Sequence, residues 1–116
     1  MKISVALAAY KGEQYIAEQL KSILPQLGEN DEIIVSDDYP SGLTRGVVLA
    51  IRDKRIKYIE GNGNGVVSNF ENALKACSGD VIFLCDQDDV WMPDKLQTVL
   101  DTFEATDASV VMHDAT

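Results

Sequence analysis

Cysteine is scarce in this chain, with only Cys77 and Cys85 among 116 residues. Neither has a metal-type spacing, and two thiols do not make a disulfide framework, so both are expected to be buried free thiols in a reducing compartment. Basic side chains are scarce beyond residue 60: residues 61–116 hold 2 basic and 10 acidic groups, and thus −8 of the net −9. Nucleic-acid binding needs clustered Lys or Arg against the phosphate backbone, so nucleic acid is excluded as a partner. Phosphates reached through a metal ion stay open. Long apolar runs are also missing. The opening stretch from Met1 to Tyr10 has one positive charge and is too short for a membrane span or a signal peptide. A soluble cytoplasmic domain is expected, with any membrane association left to sequence beyond Thr116. No repeat, linker or low-complexity tract interrupts the chain apart from the run Gly61-Asn62-Gly63-Asn64-Gly65.

At 46% hydrophobic over 116 residues, the chain can form one globular domain with a real core, yet it is small for a complete two-substrate enzyme. Short apolar runs alternate with helical periodicity, which is the pattern of βαβ units around a mainly parallel sheet in an α/β fold. Strands are expected at Ile3 to Ala8, Ile33 to Val35, Ile56 to Ile59, Val81 to Cys85 and Ser109 to Met112. Ile16, Leu20, Ile23, Leu24 and Leu27 recur at steps of three and four, giving an amphipathic helix interrupted near Pro25. Tyr39-Pro40-Ser41-Gly42 reads as a turn, with Thr44 as cap of a helix through about Arg52. Val67, Phe70, Leu74 and Cys77 share a third helical face, closed by Ser78-Gly79. A fourth helix starts at Pro93, with Leu96, Val99, Leu100 and Phe103 on its apolar face.

The densest chemistry lies where the strand Val81 to Cys85 runs into Asp86-Gln87-Asp88-Asp89. Carboxylates this close repel each other unless a cation or hydrogen bonds offset the charge. Mg²⁺ and Mn²⁺ prefer oxygen ligands, and Mg²⁺ takes one or two carboxylates plus water and substrate phosphates, so the cluster suggests a metal-bridged phosphate site. The bland alternative is an acidic helix start, with Asp89 and Asp94 serving the helix dipole. A second strand ends in Asp37-Asp38, and open α/β sheets bind ligands beyond the carboxyl ends of their strands.

Other motifs compete for these residues. Asp86-Gln87-Asp88-Asp89-Val90 matches the Asp-x-Asp-x-Val nucleophile signature of haloacid dehalogenase-like phosphatases, but too few residues follow for the rest of that catalytic set. A receiver domain would need an acidic pair after strand one, where this chain has Ala8-Ala9. The glycine run misses the G-x-G-x-x-G spacing and reads better as a mobile loop. His113, beside Asp114, is more ordinary as a surface or packed residue, and Trp91 is expected to pack rather than bind sugar.

Four stretches in order give the chain a more specific likeness: Val5-Ala6-Leu7-Ala8-Ala9-Tyr10-Lys11-Gly12-Glu13; Ile34-Val35-Ser36-Asp37-Asp38; Gly65-Val66-Val67-Ser68-Asn69-Phe70-Glu71-Asn72-Ala73-Leu74; and Gly79-Asp80-Val81 through Asp94-Lys95. Together they resemble glycosyltransferase family 2, the inverting enzymes with a GT-A type Rossmann-like fold, across all 116 residues. The last stretch looks especially like bacterial rhamnosyltransferase-type members that build cell-surface polysaccharide.

The resemblance implies that Ala9, Tyr10 and Glu13 border the base and ribose of a UDP- or dTDP-linked sugar, and that Asp38 hydrogen-bonds the pyrimidine ring nitrogen. It makes Asp88 the closest ligand of Mn²⁺ or Mg²⁺, with Asp86 nearer the ribose or a metal-bound water. The acceptor would be a saccharide or a lipid-linked saccharide. The family's usual Pro-Thr-Tyr-Asn is Ala8-Ala9-Tyr10-Lys11 here, and its Gly-Ser-Thr-Asp turn is Tyr39-Pro40-Ser41-Gly42. Residues 1–116 would then be the nucleotide-diphospho-sugar-binding half of a catalytic domain, with the general base beyond Thr116 and exposed apolar surface favouring a homodimer. A non-catalytic nucleotide-binding or assembly module is the alternative.

Overall fold

The computed structural model describes residues 2–86, 91–98, 101 and 110–112, and for residues 86 and 110–112 the backbone alone. Five strands, β1 (Ile3–Ala9), β2 (Glu32–Asp37), β3 (Ile56–Glu60), β4 (Val81–Asp86) and β5 (Val110–Met112), form one sheet in the order β3-β2-β1-β4-β5. Every pairing in it is parallel. Three helices connect the first four strands: α1 (Ile16–Ile23), α2 (Thr44–Ile51) and α3 (Val66–Ala76). The expected α/β architecture is therefore present.

Strand alternation sorts the core into two layers. Ile3, Val5, Leu7, Ile33, Val35, Val81, Phe83 and Cys85 face one way and pack with Ile16, Leu20 and Ile23 of α1, Val48 of α2, and Trp91 and Leu96. Burying each of these larger side chains contributes about 1.5–3 kcal/mol. The opposite layer is thinner, built on Ala6, Ile34 and Ala73 of α3. Trp91 packs as expected: it is buried, its ring centroid lies 5.5 Å from that of Phe83, and its backbone N–H donates to Ser22 Oγ at 2.8 Å.

Pro25 shapes the end of α1. Without an N–H it cannot continue the helical ladder, so the chain tightens into a 3-10 turn at Leu24–Gln26. The carbonyls of Leu24 and Leu27 accept bonds from Arg55 Nη1, both at 3.0 Å, while Asp53 holds the same guanidinium at 2.8 Å.

Two expectations need correction. Thr44 is not a cap but the first residue of α2; the N-cap is Leu43, with no side-chain cap bond. The Thr44 hydroxyl is occupied elsewhere, accepting from the Gly12 N–H at 3.0 Å. The buried face of α3 is also rotated from the apolar one: Asn69 and Ala73 are buried, whereas Val67 is exposed. Asn69 bonds to the polar backbone and hydroxyl groups beneath it, and hydrophobic periodicity cannot register a buried amide.

At the amino edge of the sheet, Glu32 ties the layers together. Its Oε2 accepts from Ser4 Oγ at 2.6 Å and from the Ser78 N–H at 2.7 Å, and its Oε1 accepts from Lys57 Nζ at 2.9 Å. Val99, Leu100 and Phe103 of the expected fourth helix, and His113, lie outside the described residues; residues 95–98 are helical.

Candidate nucleotide-sugar site

The carboxyl ends of four strands align along one edge. Ala8 pairs with Asp86, Ala9 with Asp37, and Asp37 with Glu60. Strands β2 and β3 lie to one side of β1, and β4 and β5 to the other. The direction of winding reverses between β1 and β4, and such a switch point opens a crevice where open α/β sheets take ligands. Ala9 and Asp86 end the two strands flanking it, and Asp38 follows β2 directly.

Asp38 is held at both ends. Its N–H donates to the Ala9 carbonyl at 2.9 Å, and its carboxylate accepts from the Gly63 N–H at 2.8 Å and the Gly65 N–H at 3.3 Å. Both glycines have left-handed backbones, φ +76° and +99°, which place their N–H groups toward the carboxylate at no steric cost. The glycine run, expected as a mobile loop, thus makes specific bonds to a proposed site residue.

Asn69 supports the same corner from below. Its Nδ2 donates to the carbonyls of Ala9 at 3.2 Å and Ser36 at 2.9 Å, and its Oδ1 accepts from Ser36 Oγ at 2.5 Å. Ala9 is fully buried, and its carbonyl already accepts from Asp38 and Asn69. Asp37, the other half of the acidic pair, is fully buried and braces β3: Tyr58 O–H donates to its Oδ2 at 2.6 Å and the Tyr39 N–H to its Oδ1 at 3.0 Å. Burial and then this carboxylate hold the Tyr58 phenol well above its ordinary value.

Tyr10 is half exposed, and its ring meets Tyr39 edge-on with centroids 5.9 Å apart. Lys11 Nζ sits 5.3 Å from the Tyr10 ring and 4.7 Å from the Tyr39 ring. Lys11 thereby links Tyr10 to the turn that departs from the family's usual sequence. Its backbone is left-handed, φ 51°, a conformation that Asn adopts more readily than Lys. Glu13 accepts from Thr44 Oγ1 at 3.4 Å, which joins the loop after β1 to the start of α2.

Asp86 ends β4 beside Ala8, while Asp88 and Asp89 lie outside the described residues. Among the described residues no group of three or more His, Cys, Asp or Glu side chains is placed to hold a metal ion. Three residues of this edge, Gly61, Thr44 and Asn69, were given no site role by the sequence. Only Asn69 carried a signal, as a polar residue at helical spacing from Ala73.

The family model described as "Glycosyl transferase family 2" matches residues 4–115. The chain belongs to glycosyl transferase family 2. An uncharacterised glycosyltransferase of Nostoc sp. is 33% identical over 116 residues, covering 97% of this chain and 36% of that protein. An Escherichia coli protein named UDP-Glc:alpha-D-GlcNAc-diphosphoundecaprenol beta-1,3-glucosyltransferase is 35% identical over 96 residues, covering 82% of this chain and 38% of its own length. Among solved structures, S. aureus TarS 1–349 in complex with UDP superposes with a TM-score of 0.79 at 27% identity, covering 90% of this chain and 32% of that one. This family 2 chain thus spans about a third of the length of the relatives it matches.

Proposed function

We propose that this chain forms the donor-binding part of an inverting glycosyltransferase that moves a sugar from a nucleoside diphosphate sugar to a saccharide or lipid-linked acceptor in cell-surface polysaccharide synthesis. The observation that supports this reading is that Ala9, Asp38 and Asp86 stand at the carboxyl ends of the neighbouring strands β1, β2 and β4, at the switch point, in a family 2 chain that superposes over 90% of its length on a protein solved with UDP. Tyr10, Glu13 and Asp38 would border the nucleoside. Asp38 keeps acceptor capacity beyond its two loop bonds, since a carboxylate offers about four lone-pair directions.

Strand β4 ends at Asp86, next to the switch point between β1 and β4, and Asp88 follows two positions later. Their carboxylate oxygens are hard donors of the kind that suits Mn²⁺ or Mg²⁺, with Asp88 as ligand and Asp86 beside it. Such an ion, when bound, compensates the charge of a departing diphosphate. Residues 1–116 are assigned no catalytic base. Tyr10 would pack its exposed ring against the nucleoside, and Asp38 would fix its orientation by accepting an N–H.

Calorimetric titration with UDP and with dTDP, each with and without Mn²⁺, tests this. Binding should tighten with metal in the wild type and lose that response in Asp88→Asn. Binding indifferent to metal, or unchanged by Asp88→Asn, removes the metal assignment.

A further inference from the structure

We infer that the 61–65 loop is a clamp that aims the Asp38 carboxylate, so that Gly61 and Asn69 are positioning residues that set which base the site accepts. This rests on Asp38 facing the base, as proposed above, and assigns the base preference to a loop that the sequence marks only as flexible.

The clamp has three parts. Two loop N–H groups hold the carboxylate, from Gly63 at 2.8 Å and Gly65 at 3.3 Å. Gly61 leaves the room for it: a Cβ there would lie 2.6 Å from Asp38 Oδ1, 2.6 Å from Asn69 Oδ1 and 3.1 Å from the Asp38 Cα. Gly61 cannot move away, because its own N–H donates to the Asp37 carbonyl at 2.8 Å and extends the ladder between β2 and β3. Asn69 completes the clamp, buried at 2% exposure, by fixing the Ala9 carbonyl that also receives the Asp38 N–H.

Backbone donors from a glycine loop hold a carboxylate in one rotamer while leaving a lone pair on each oxygen. A group presented this way accepts a hydrogen bond and donates none. Uracil and thymine carry an N–H at ring position 3, whereas cytosine presents a lone pair there. Two acceptors facing each other leave both unpaired, which costs about 1–3 kcal/mol, or roughly 5- to 150-fold in affinity. Base class would therefore follow from how firmly the loop fixes Asp38.

The test is calorimetric titration of the chain with UDP and with CDP, for wild type, Gly61→Ala and Gly46→Ala. Gly46 lies in α2, where a built Cβ meets nothing within 4 Å beyond its chain neighbours and the helix's own backbone, and it serves as a control for the added methyl group. The wild type and Gly46→Ala should bind UDP more than about tenfold tighter than CDP. Gly61→Ala should lose roughly tenfold or more in UDP affinity with little change for CDP, narrowing the ratio. A merely structural glycine would weaken both ligands together.

Should Gly61→Ala fail to fold, the wild-type Gly63 amide proton decides. It should stay downfield and protected from exchange when UDP binds, and exposure of that proton on binding overturns the clamp. A folded Gly61→Ala with the wild-type UDP-to-CDP ratio overturns it too, as does a wild type that binds the two ligands equally, and in each case the donor site stands. Failure of the wild type to bind UDP overturns the donor-site reading itself, and the clamp's role with it.

Discussion

Glu32→Gln isolates a charge knot on which the layering of the fold depends. Glu32 is 2% exposed, and burial, the largest single influence on its carboxyl, raises its pKa. The bonds from Ser4, Lys57 and Ser78 together outweigh that effect and hold the carboxyl at about 2, against an ordinary 4.5. At about 1.4 kcal/mol per tenfold change, the difference amounts to about 3 kcal/mol of folding stability. The folded-state value is the depressed one, so this stability is fully present above pH 4.5 and is lost as pH falls toward 2. Down to pH 3 the loss should reach about 2 kcal/mol. In Glu32→Gln the amide nearly matches the carboxyl in size but does not titrate. Its oxygen can still accept from Ser4 and Ser78, while its NH₂ faces the Lys57 ammonium as a second donor. The variant should be less stable at pH 7 by about 1–3 kcal/mol. Its urea-unfolding stability should also fall less than wild type between pH 5 and pH 3, by that same 2 kcal/mol. Parallel acid profiles for the two proteins would refute the assignment of this charge to the fold.

Two glycines should respond in opposite directions to alanine. Gly46→Ala, inside α2 and facing open space, should raise stability by about 0.5–1 kcal/mol, whereas Gly79→Ala forces a Cβ to 2.8 Å from the Ser4 backbone N and 2.9 Å from the Lys2 carbonyl, and should cost about 1–3 kcal/mol. Thermal melts of the two variants check both signs, and destabilisation at Gly46 would count against the helix assignment. Tyr58→Phe removes the donor to the buried Asp37 and should cost about 1–3 kcal/mol in urea unfolding at pH 7. No loss would mean that water serves Asp37 equally well.

The scaffold was largely legible because its signals are local. Apolar runs at Ile33 to Val35 and Val81 to Cys85 mark strands in a parallel sheet, and Pro25 marks the end of α1. The structure lengthened β1 to Ala9 and β2 to Glu32 and Asp37, because pairing with neighbouring strands carries the ladder past the apolar stretch. The buried Glu32 and Asp37 read as charged ends in the sequence; what makes them interior is partners 21 to 46 residues away, Tyr58, Lys57 and Ser78.

At the site, the type of residue was legible and its neighbours were not. Asp38 stood out as an acidic residue after a strand, yet nothing in the run from Gly61 to Gly65 announces that two of its N–H groups hold that carboxylate. Asn69 is hard to read because helical periodicity shows in apolar residues and a buried amide does not contribute to it, and the rotated face of α3 follows from its three bonds to Ala9 and Ser36. Asp86 lies where the strand pattern put it, at the end of β4; Asp88 lies outside the described residues.

The most direct test of the central claim, that the carboxyl edge of this sheet holds the nucleotide, is to map amide chemical-shift changes in the ¹⁵N-labelled chain as UDP and the diamagnetic Mg²⁺ are added. The changes should concentrate at residues 10–13, 38–39, 61–65 and 86–91, around the switch between β1 and β4. Changes centred instead on the amino edge around Glu32 and Lys57, or no saturable change at all, would contradict it.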